Sequence, residues 1–325
     1  MRILVTGSAG HLGEALVRTL RDSSHEVTGL DRLDSPHTDV VASITDRAAV
    51  RSAVDGADAV VHTATLHKPH VMSHPRQAFV DTNITGTLVL LEQAVAAGVG
   101  TFLYTSTTSA FGRALSPGEG APAAWITEDV VPRTRNIYGA TKVAAEELCE
   151  LVARDHDLSC LILRTSRFFP EQDDSEHVRT GYADANAKVN ELLYRRIDLA
   201  DVVTAHVAAL SRAPRLGFGR YVVSATTPFA PEGLAELRRD APAVVERLFP
   251  DYADVYRRLG WRMFPGIDRV YVNARARADL GWQPRYDFRH ALDLLQVGEA
   301  PRSALATSVG AKGYHPVTTG PYTTR

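Results

Sequence analysis

"VTGSAGHLGEALVRTL" (Val5–Leu20) decides the fold of this chain. Gly7, Gly10 and Gly13 form G-x-x-G-x-x-G directly after the short, largely apolar run Arg2–Thr6. Leu12, Leu16 and Leu20 then recur every fourth residue, which is a helix stripe. "EVTGL" follows as a second strand and Asp31 closes it. Strand, glycine turn, helix, strand and acid, with the acid near the expected spacing of ~20 residues, make a dinucleotide-binding unit. The glycines let backbone approach a pyrophosphate, and the helix start supplies free N–H groups and a positive dipole end. A carboxylate at Asp31 accepts both ribose hydroxyls and repels a 2′-phosphate, so NAD is expected. The neighbouring Arg32 could pair with that phosphate, which leaves NADP as the lesser alternative.

Outward from this unit, strands and helices alternate. "ADAVVHTAT" (Ala57–Thr65) reads as a strand that ends in small residues. Pro75 to Ala97 reads as one long helix, with Phe79, Ile84, Leu88, Leu91 and Val95 on its apolar side and Asn83 inside it. "TFLYTSTTSAFG" (Thr101–Gly112) is a strand running into hydroxyl residues. A helix with Val143, Leu148 and Leu151 as its apolar side follows, and "LSCLILRTS" is another strand. The expected fold is α/β, a Rossmann-type doubly wound parallel sheet with a smaller C-terminal domain. The sheet domain is placed at 1–165, with 195–225 and about 268–285 returning to it. Residues 166–194 and 226–325 are assigned to the smaller substrate-binding domain and a tail. The stretch from Ala300 is rich in Gly, Ser, Thr and Pro, as a loose tail or an arm lying over the domain would be.

Composition narrows the function. The 325 residues are 45% hydrophobic and 23% charged, an ordinary globular balance. A formal net charge of -2 gives no basic face for nucleic acid. No apolar run approaches the ~20 residues of a membrane span, and no signal peptide is seen. Two cysteines, Cys149 and Cys160, make no disulfide framework and fit a reducing, cytoplasmic setting.

"YGATK" (Tyr138–Lys142) places a tyrosine and a lysine on one helix face. An ammonium beside a phenol lowers the phenol's pKa from ~10, which would make Tyr138 a general acid/base. An ordinary helix start with a solvated lysine gives the same spacing.

With the glycine turn, "HTAT", "DTNITGT" around Asn83, "YTSTTSAFG" and "YGATK" in order, the chain resembles the extended short-chain dehydrogenase/reductases, the group that includes nucleotide-sugar epimerases and dehydratases. The resemblance covers roughly residues 1–225 and resumes at "ARADLGWQPRYDF" (Ala276–Phe288). It implies that Tyr138 exchanges a proton with a substrate hydroxyl or carbonyl, that Lys142 also holds the nicotinamide ribose, and that Thr107, between Ser106 and Thr108, bonds the same substrate oxygen. Asn83 is either a buttress of the site or a helix-surface amide. By the same resemblance His11 and Leu12 belong to the cofactor turn, Ser43 and Ile44 to the adenine end, and Thr63, Ala64, Thr65 and Thr105 to the cofactor's wall. Homodimers built on the helices bearing Asn83 and Tyr138 are usual in the family.

The reaction is narrowed by departures. The family's dehydratases carry an Asp-Glu pair after the catalytic threonine; here Thr108 and Ser109 stand there, which disfavours dehydration. Arg167 stands where sugar epimerases often place an asparagine near the substrate phosphates. It suits a phosphate or carboxylate, or it pairs with Asp173 or Asp174. Lys68, in "LHKPH", is expected to touch substrate, as is Thr108. His67 and His70 lack an acidic or cysteine partner at ligand spacing, so no metal is expected. The short stretch from Pro170 to Asp198 leaves little surface for a nucleotide. The leading expectation is an NAD-dependent sugar epimerase, possible substrates including nucleotide-sugars. The rival is a dehydrogenase or reductase of a sugar acid or other small carbonyl compound, and a third reading is a non-catalytic NAD-sensing regulator.

Overall fold

The computed structural model describes residues 1–312. The first half reads β1 (Arg2–Thr6), α1 (His11–Arg21), β2 (Glu26–Asp31), β3 (Val40–Val41), α2 (Arg47–Val54), β4 (Ala59–His62), α3 (Arg76–Phe79), α4 (Gly86–Ala96), β5 (Thr101–Thr107), β6 (Ala124–Ile126) and α5 (Ile137–Asp155). Then come β7 (Ser159–Thr165), α6 (Glu176–Gly181), α7 (Asp184–Leu192), α8 (Leu199–Leu216), β8 (Phe218–Val223), α9 (Leu234–Arg239), α10 (Ala241–Leu248), α11 (Tyr252–Leu259), β9 (Arg269–Tyr271), α12 (Ala274–Leu280), α13 (Phe288–Gln296) and α14 (Ala304–Val309).

Seven strands form one parallel sheet in the order β3-β2-β1-β4-β5-β7-β8. Buried parallel strands need apolar side chains on both faces, and alternate residues supply them. Ile3, Val5, Val61, Leu103 and Leu161 pack with α1, α8 and α12 on one face. Leu4, Val60, Phe102, Tyr104 and Ile162 pack with α2, α4 and α5 on the other. A third core joins α7 to α9, α10, α11 and α13, with Tyr256 and Phe288 at its centre. A two-stranded parallel sheet of β6 and β9 lies beside it. The chain order reverses between β1 and β4, so their C-terminal ends open a crevice.

Two local expectations change, and one open alternative is decided. The long helix is interrupted: α3 widens into a π-helix at Val80–Thr85 before α4 resumes. The stripes expected to face the core partly face outward. On α5 the sheet side is Ala145, Cys149 and Val152, whereas Val143 and Leu148 are half-buried and Leu151 is exposed. Small residues there let the helix lie close to the sheet, which leaves the larger apolar residues outside. On α4 Val89, Leu90, Leu91 and Ala94 are buried, and Leu88 and Val95 are half-buried. Of the two alternatives open for the stretch from Ala300, residues 300–312 take the arm: α14 packs on α1 and α8 and buries Val309. The rest of the expected tail lies outside the described residues. Among the described residues, no helix is long and apolar enough to cross a membrane.

Candidate active site

The crevice at the end of β1 and β4 deepens into a cleft of about 730 Å³. Its floor is the glycine turn. Gly7 has φ 78°, a left-handed conformation that disfavours a side chain. A Cβ on Gly13 would stand 1.8 Å from the Gly7 carbonyl oxygen, so α1 can begin this close to β1 only with glycine there. Asp31 is fixed at the end of β2: one carboxylate oxygen accepts from the Ala9 N–H at 3.1 Å, the other from the Leu33 N–H at 3.0 Å. The predicted cofactor residues Gly7, Gly10, His11, Leu12, Gly13, Asp31, Arg32, Ser43, Ile44, Thr63, Ala64, Thr65 and Thr105 all line this cleft. So do Lys68, Thr107, Thr108, Tyr138 and Arg167. Lys142 does not.

Tyr138 and Thr107 meet across the cleft. The Asn136 side chain caps α5 by accepting from the Gly139 N–H at 3.0 Å, which sets the first turn carrying Tyr138. Thr107 ends β5, accepts from the Ser109 N–H at 3.1 Å and hydrogen-bonds the Tyr138 phenol. Its neighbour Ser106 donates instead to Glu146 at 2.5 Å, so strand alternation singles out Thr107. Asn83 is buried rather than on a helix surface. It accepts from the Thr65 hydroxyl and Leu66 N–H and donates to the Leu66 carbonyl and the Thr141 hydroxyl, all within 3.0 Å. The π-turn thereby ties the loop after β4 to α5.

The expected acidic phenol is not what the structure shows. Burial pushes Tyr138 up to about 12, only partly offset by the Thr107 hydrogen bond. The Lys142 ammonium donates to the Thr105 carbonyl at 2.6 Å and sits 4.0 Å above the Tyr104 ring. It therefore spends its bond on the strand end beneath the phenol. Burial pulls Lys142 down to about 7, against the opposing charge of Glu146 one turn on. Glu146 is itself held by the buried Arg164 at 2.7 Å.

This lysine has a measurable consequence. Its folded pKa lies below its unfolded value, so between about pH 7 and 10 the unfolded chain binds the extra proton. Stability should rise with pH there, by at most about 1.4 kcal/mol per pH unit. In Lys142→Met that contribution vanishes. Urea midpoints of the cofactor-free proteins at pH 7 and pH 9 check this: the wild type should gain on the variant, and parallel midpoints would refute the buried-lysine account.

The far wall carries charge. Arg167 donates to Asp173, and to Asp174 at 2.8 Å, so it both lines the cleft and pairs with its neighbours. Lys68 reaches across to the same Asp174. Burial and the Arg167 guanidinium pull the Lys68 ammonium down to about 8. Behind them Arg195 and Arg196 bond Glu191 at 2.5 and 2.7 Å. Against the cost of burial, Arg195, Arg196 and Arg167 hold the Glu191 carboxyl well below the usual carboxylate range. Sequence reading missed Phe169, Arg195, Arg269 and Tyr271, which also line the cleft. Arg269 and Tyr271 alternate along β9, a period of two that points both to one face. Among the described residues, no group of three or more His, Cys, Asp or Glu could hold a metal ion.

Comparison with known proteins places this arrangement. The low-salt glycan biosynthesis protein Agl12 of Haloferax volcanii is 36% identical over 188 residues, a match covering 53% of this chain and 58% of that protein. The 3-diazoavenalumate denitrifying reductase of a Streptomyces species is 31% identical over 314 residues, covering 88% of this chain and 97% of that enzyme. The structure of UDP-glucose 4-epimerase from Thermotoga maritima with UDP-glucose superposes with a TM-score of 0.63 at 22% identity, covering 91% and 97% of the two chains. The model of the NAD dependent epimerase/dehydratase family matches residues 3–223. With that match spanning more than half of its length, the chain belongs to the NAD dependent epimerase/dehydratase family, within the extended short-chain dehydrogenase/reductases.

Proposed function

We propose that this enzyme binds NAD along the glycine turn and acts on a hydroxyl or carbonyl carbon of a small substrate, a sugar derivative in the leading reading. The observation that carries it is the Tyr138–Thr107 contact inside the cleft that begins at the glycine turn. The residues fit the cofactor: Gly7 and Gly13 let α1 begin close against the end of β1, so that the helix start can face a pyrophosphate, and Asp31 stands where ribose hydroxyls would be accepted. The dinucleotide supplies hydride acceptance and return.

Tyr138 moves the proton. In the oxidising direction it takes the proton of the substrate hydroxyl; in the reducing direction it gives its own to the carbonyl oxygen. Thr107 donates to the oxygen on which charge develops. Lys142 positions, through the Thr105 carbonyl, the strand end that carries Thr107. Residues 166–194 and 226–312 provide the substrate wall, with Arg167, Lys68 and Thr108 facing the substrate.

Net reduction of a carbonyl compound is the second reading, and one observation favours it. A phenol pushed up to about 12 is protonated at neutral pH and is ready as an acid. The Streptomyces relative, matched over nearly its full length, is also a reductase. The half-buried Leu88, Val95, Val143 and Leu148 and the exposed Leu151 support a homodimer through α4 and α5, and the buried free Cys149 and Cys160 suit the cytoplasm.

Retained cofactor separates the two readings. An epimerase should purify with NAD in nearly stoichiometric amount and show no net absorbance at the reduced-nicotinamide band when sugars are added. A reductase should consume free reduced cofactor. Purified protein with no affinity for either NAD or NADP would end both.

A further inference from the structure

On the wall opposite the glycine turn, one carboxylate of the protein lies between two cations of the cleft. Arg167 is fixed in place. Its N–H donates to the Arg195 carbonyl at 3.3 Å, and its own carbonyl accepts from the Ile197 N–H at 3.0 Å. One side of its guanidinium faces the buried Asp173 and Glu191. On the other side Nη2 donates to Asp174. The Lys68 ammonium reaches the second oxygen of that carboxylate from the opposite loop.

The two aspartates differ. Asp173 has a side chain 7% exposed and is held also by Arg195 and the Ser175 N–H. Asp174 is 25% exposed, and among the described residues only Arg167 and Lys68 hold its carboxylate. The local charge does not balance even with Asp174 in place. Three guanidinium groups, of Arg167, Arg195 and Arg196, and the Lys68 ammonium face three carboxylates, of Asp173, Glu191 and Asp174. Displacing Asp174 leaves Nη2 of a fixed guanidinium and the Lys68 ammonium converging on one place. That geometry matches a carboxylate or a phosphate monoester, which, like the Asp174 carboxylate, can offer one oxygen to the guanidinium and another to the lysine.

We infer that Arg167 and Lys68 form a subsite for an anionic group of the substrate, and that Asp174 is its internal stand-in, which swings out when that group enters. The inference rests on the reading of this cleft as the substrate site. It selects anionic substrates, carboxylic acids or phosphate monoesters, over neutral ones. Asp174 then acts as a competitor built into the chain, which keeps the two cations neutralised and in place when no substrate is present.

The test uses the NAD-loaded protein with acetate, inorganic phosphate and neutral acetamide as probes, at ionic strength matched with sodium chloride. Affinity is read by calorimetry. Asp174→Asn removes the competitor, so acetate or phosphate should bind about tenfold tighter than in the wild type. Whichever anion gains more identifies the group as carboxylate or phosphate. Asp174→Asn/Lys68→Met and Asp174→Asn/Arg167→Gln should lose that gain; Lys68 is half-exposed, so its variant tests the subsite even where Arg167→Gln fails to fold. Acetamide should show no gain. Equal anion binding in wild type and Asp174→Asn, or a gain that survives both double variants, would overturn the subsite. NAD affinity measured on the same samples keeps the two ideas apart: intact NAD binding with no anion gain sinks only the subsite, while lost NAD binding in the wild type sinks the reading beneath it.

Discussion

Tyr138→Phe should lower turnover by about 10²- to 10⁴-fold, the range a positioned proton donor supplies. The substitution removes one oxygen from a buried ring packed beside Leu66 and Phe79, so the fold and the glycine turn should be unaffected. NAD affinity should therefore stay close to that of the wild type, and the loss should fall on the chemical step. Thr107→Val should cost less, about 10²- to 10³-fold, because it removes one donor to the developing oxyanion and leaves the proton source. The phenol's elevated pKa adds a directional expectation. Proton donation to a carbonyl should be independent of pH from about 6 to 9, because Tyr138 stays protonated throughout that range. Oxidation of a hydroxyl needs the phenolate and should rise with pH over the same interval. Stopped-flow absorbance at the reduced-nicotinamide band, read in both directions, checks all three. Wild-type rates in Tyr138→Phe would remove the residue from the chemistry.

The sequence exposed those parts of the site whose chemistry depends on local spacing. Gly7, Gly10 and Gly13 act through backbone within one turn, and Asp31 closes the next strand, so a linear pattern carries them. Tyr138 and Lys142 share a helix face for the same reason. What Lys142 does there was not legible, because its partner is the Thr105 carbonyl on another element and its pKa is set by burial. The far wall was legible only in part. Arg167 and a pairing with Asp173 or Asp174 could be read from position and short spacing, but the convergence of Lys68 on Asp174 is a contact between residues 106 positions apart. Arg195 and Arg269 come from segments separated by α8, β8 and α9 to α11. Apolar stripes on α4 and α5 misled for a different reason. Both helices are apolar on more than one face, and periodicity alone does not say which face meets the sheet.

Gly13→Ala should weaken NAD binding about 100-fold, whereas Gly10→Ala should change it far less. The added methyl at Gly13 would lie 1.8 Å from the Gly7 carbonyl oxygen and 2.5 Å from its carbonyl carbon. Both are backbone atoms, so no side-chain rotation relieves the clash. Gly7 cannot retreat easily either: its φ of 78° fixes the turn, and Ala64 backs it so closely that a Cβ placed on Gly7 would lie 2.7 Å from the Ala64 nitrogen. The start of α1 must move away by more than an ångström. That movement carries with it the N–H groups of the first helical turn, on which a pyrophosphate depends. Hydrogen bonds to a charged group contribute about 1.5–3 kcal/mol each, so loss of one or two gives the stated factor. At Gly10 the nearest atom to an added Cβ is the Gly7 oxygen at 3.2 Å, a contact that a shift of a few tenths of an ångström relieves. Calorimetric titration of NAD into both variants, with thermal melts to confirm that each is folded, makes the comparison. Equal affinities in the two would mean that α1 does not bind the phosphates through its first turn, and the cofactor would have to be placed elsewhere in the cleft.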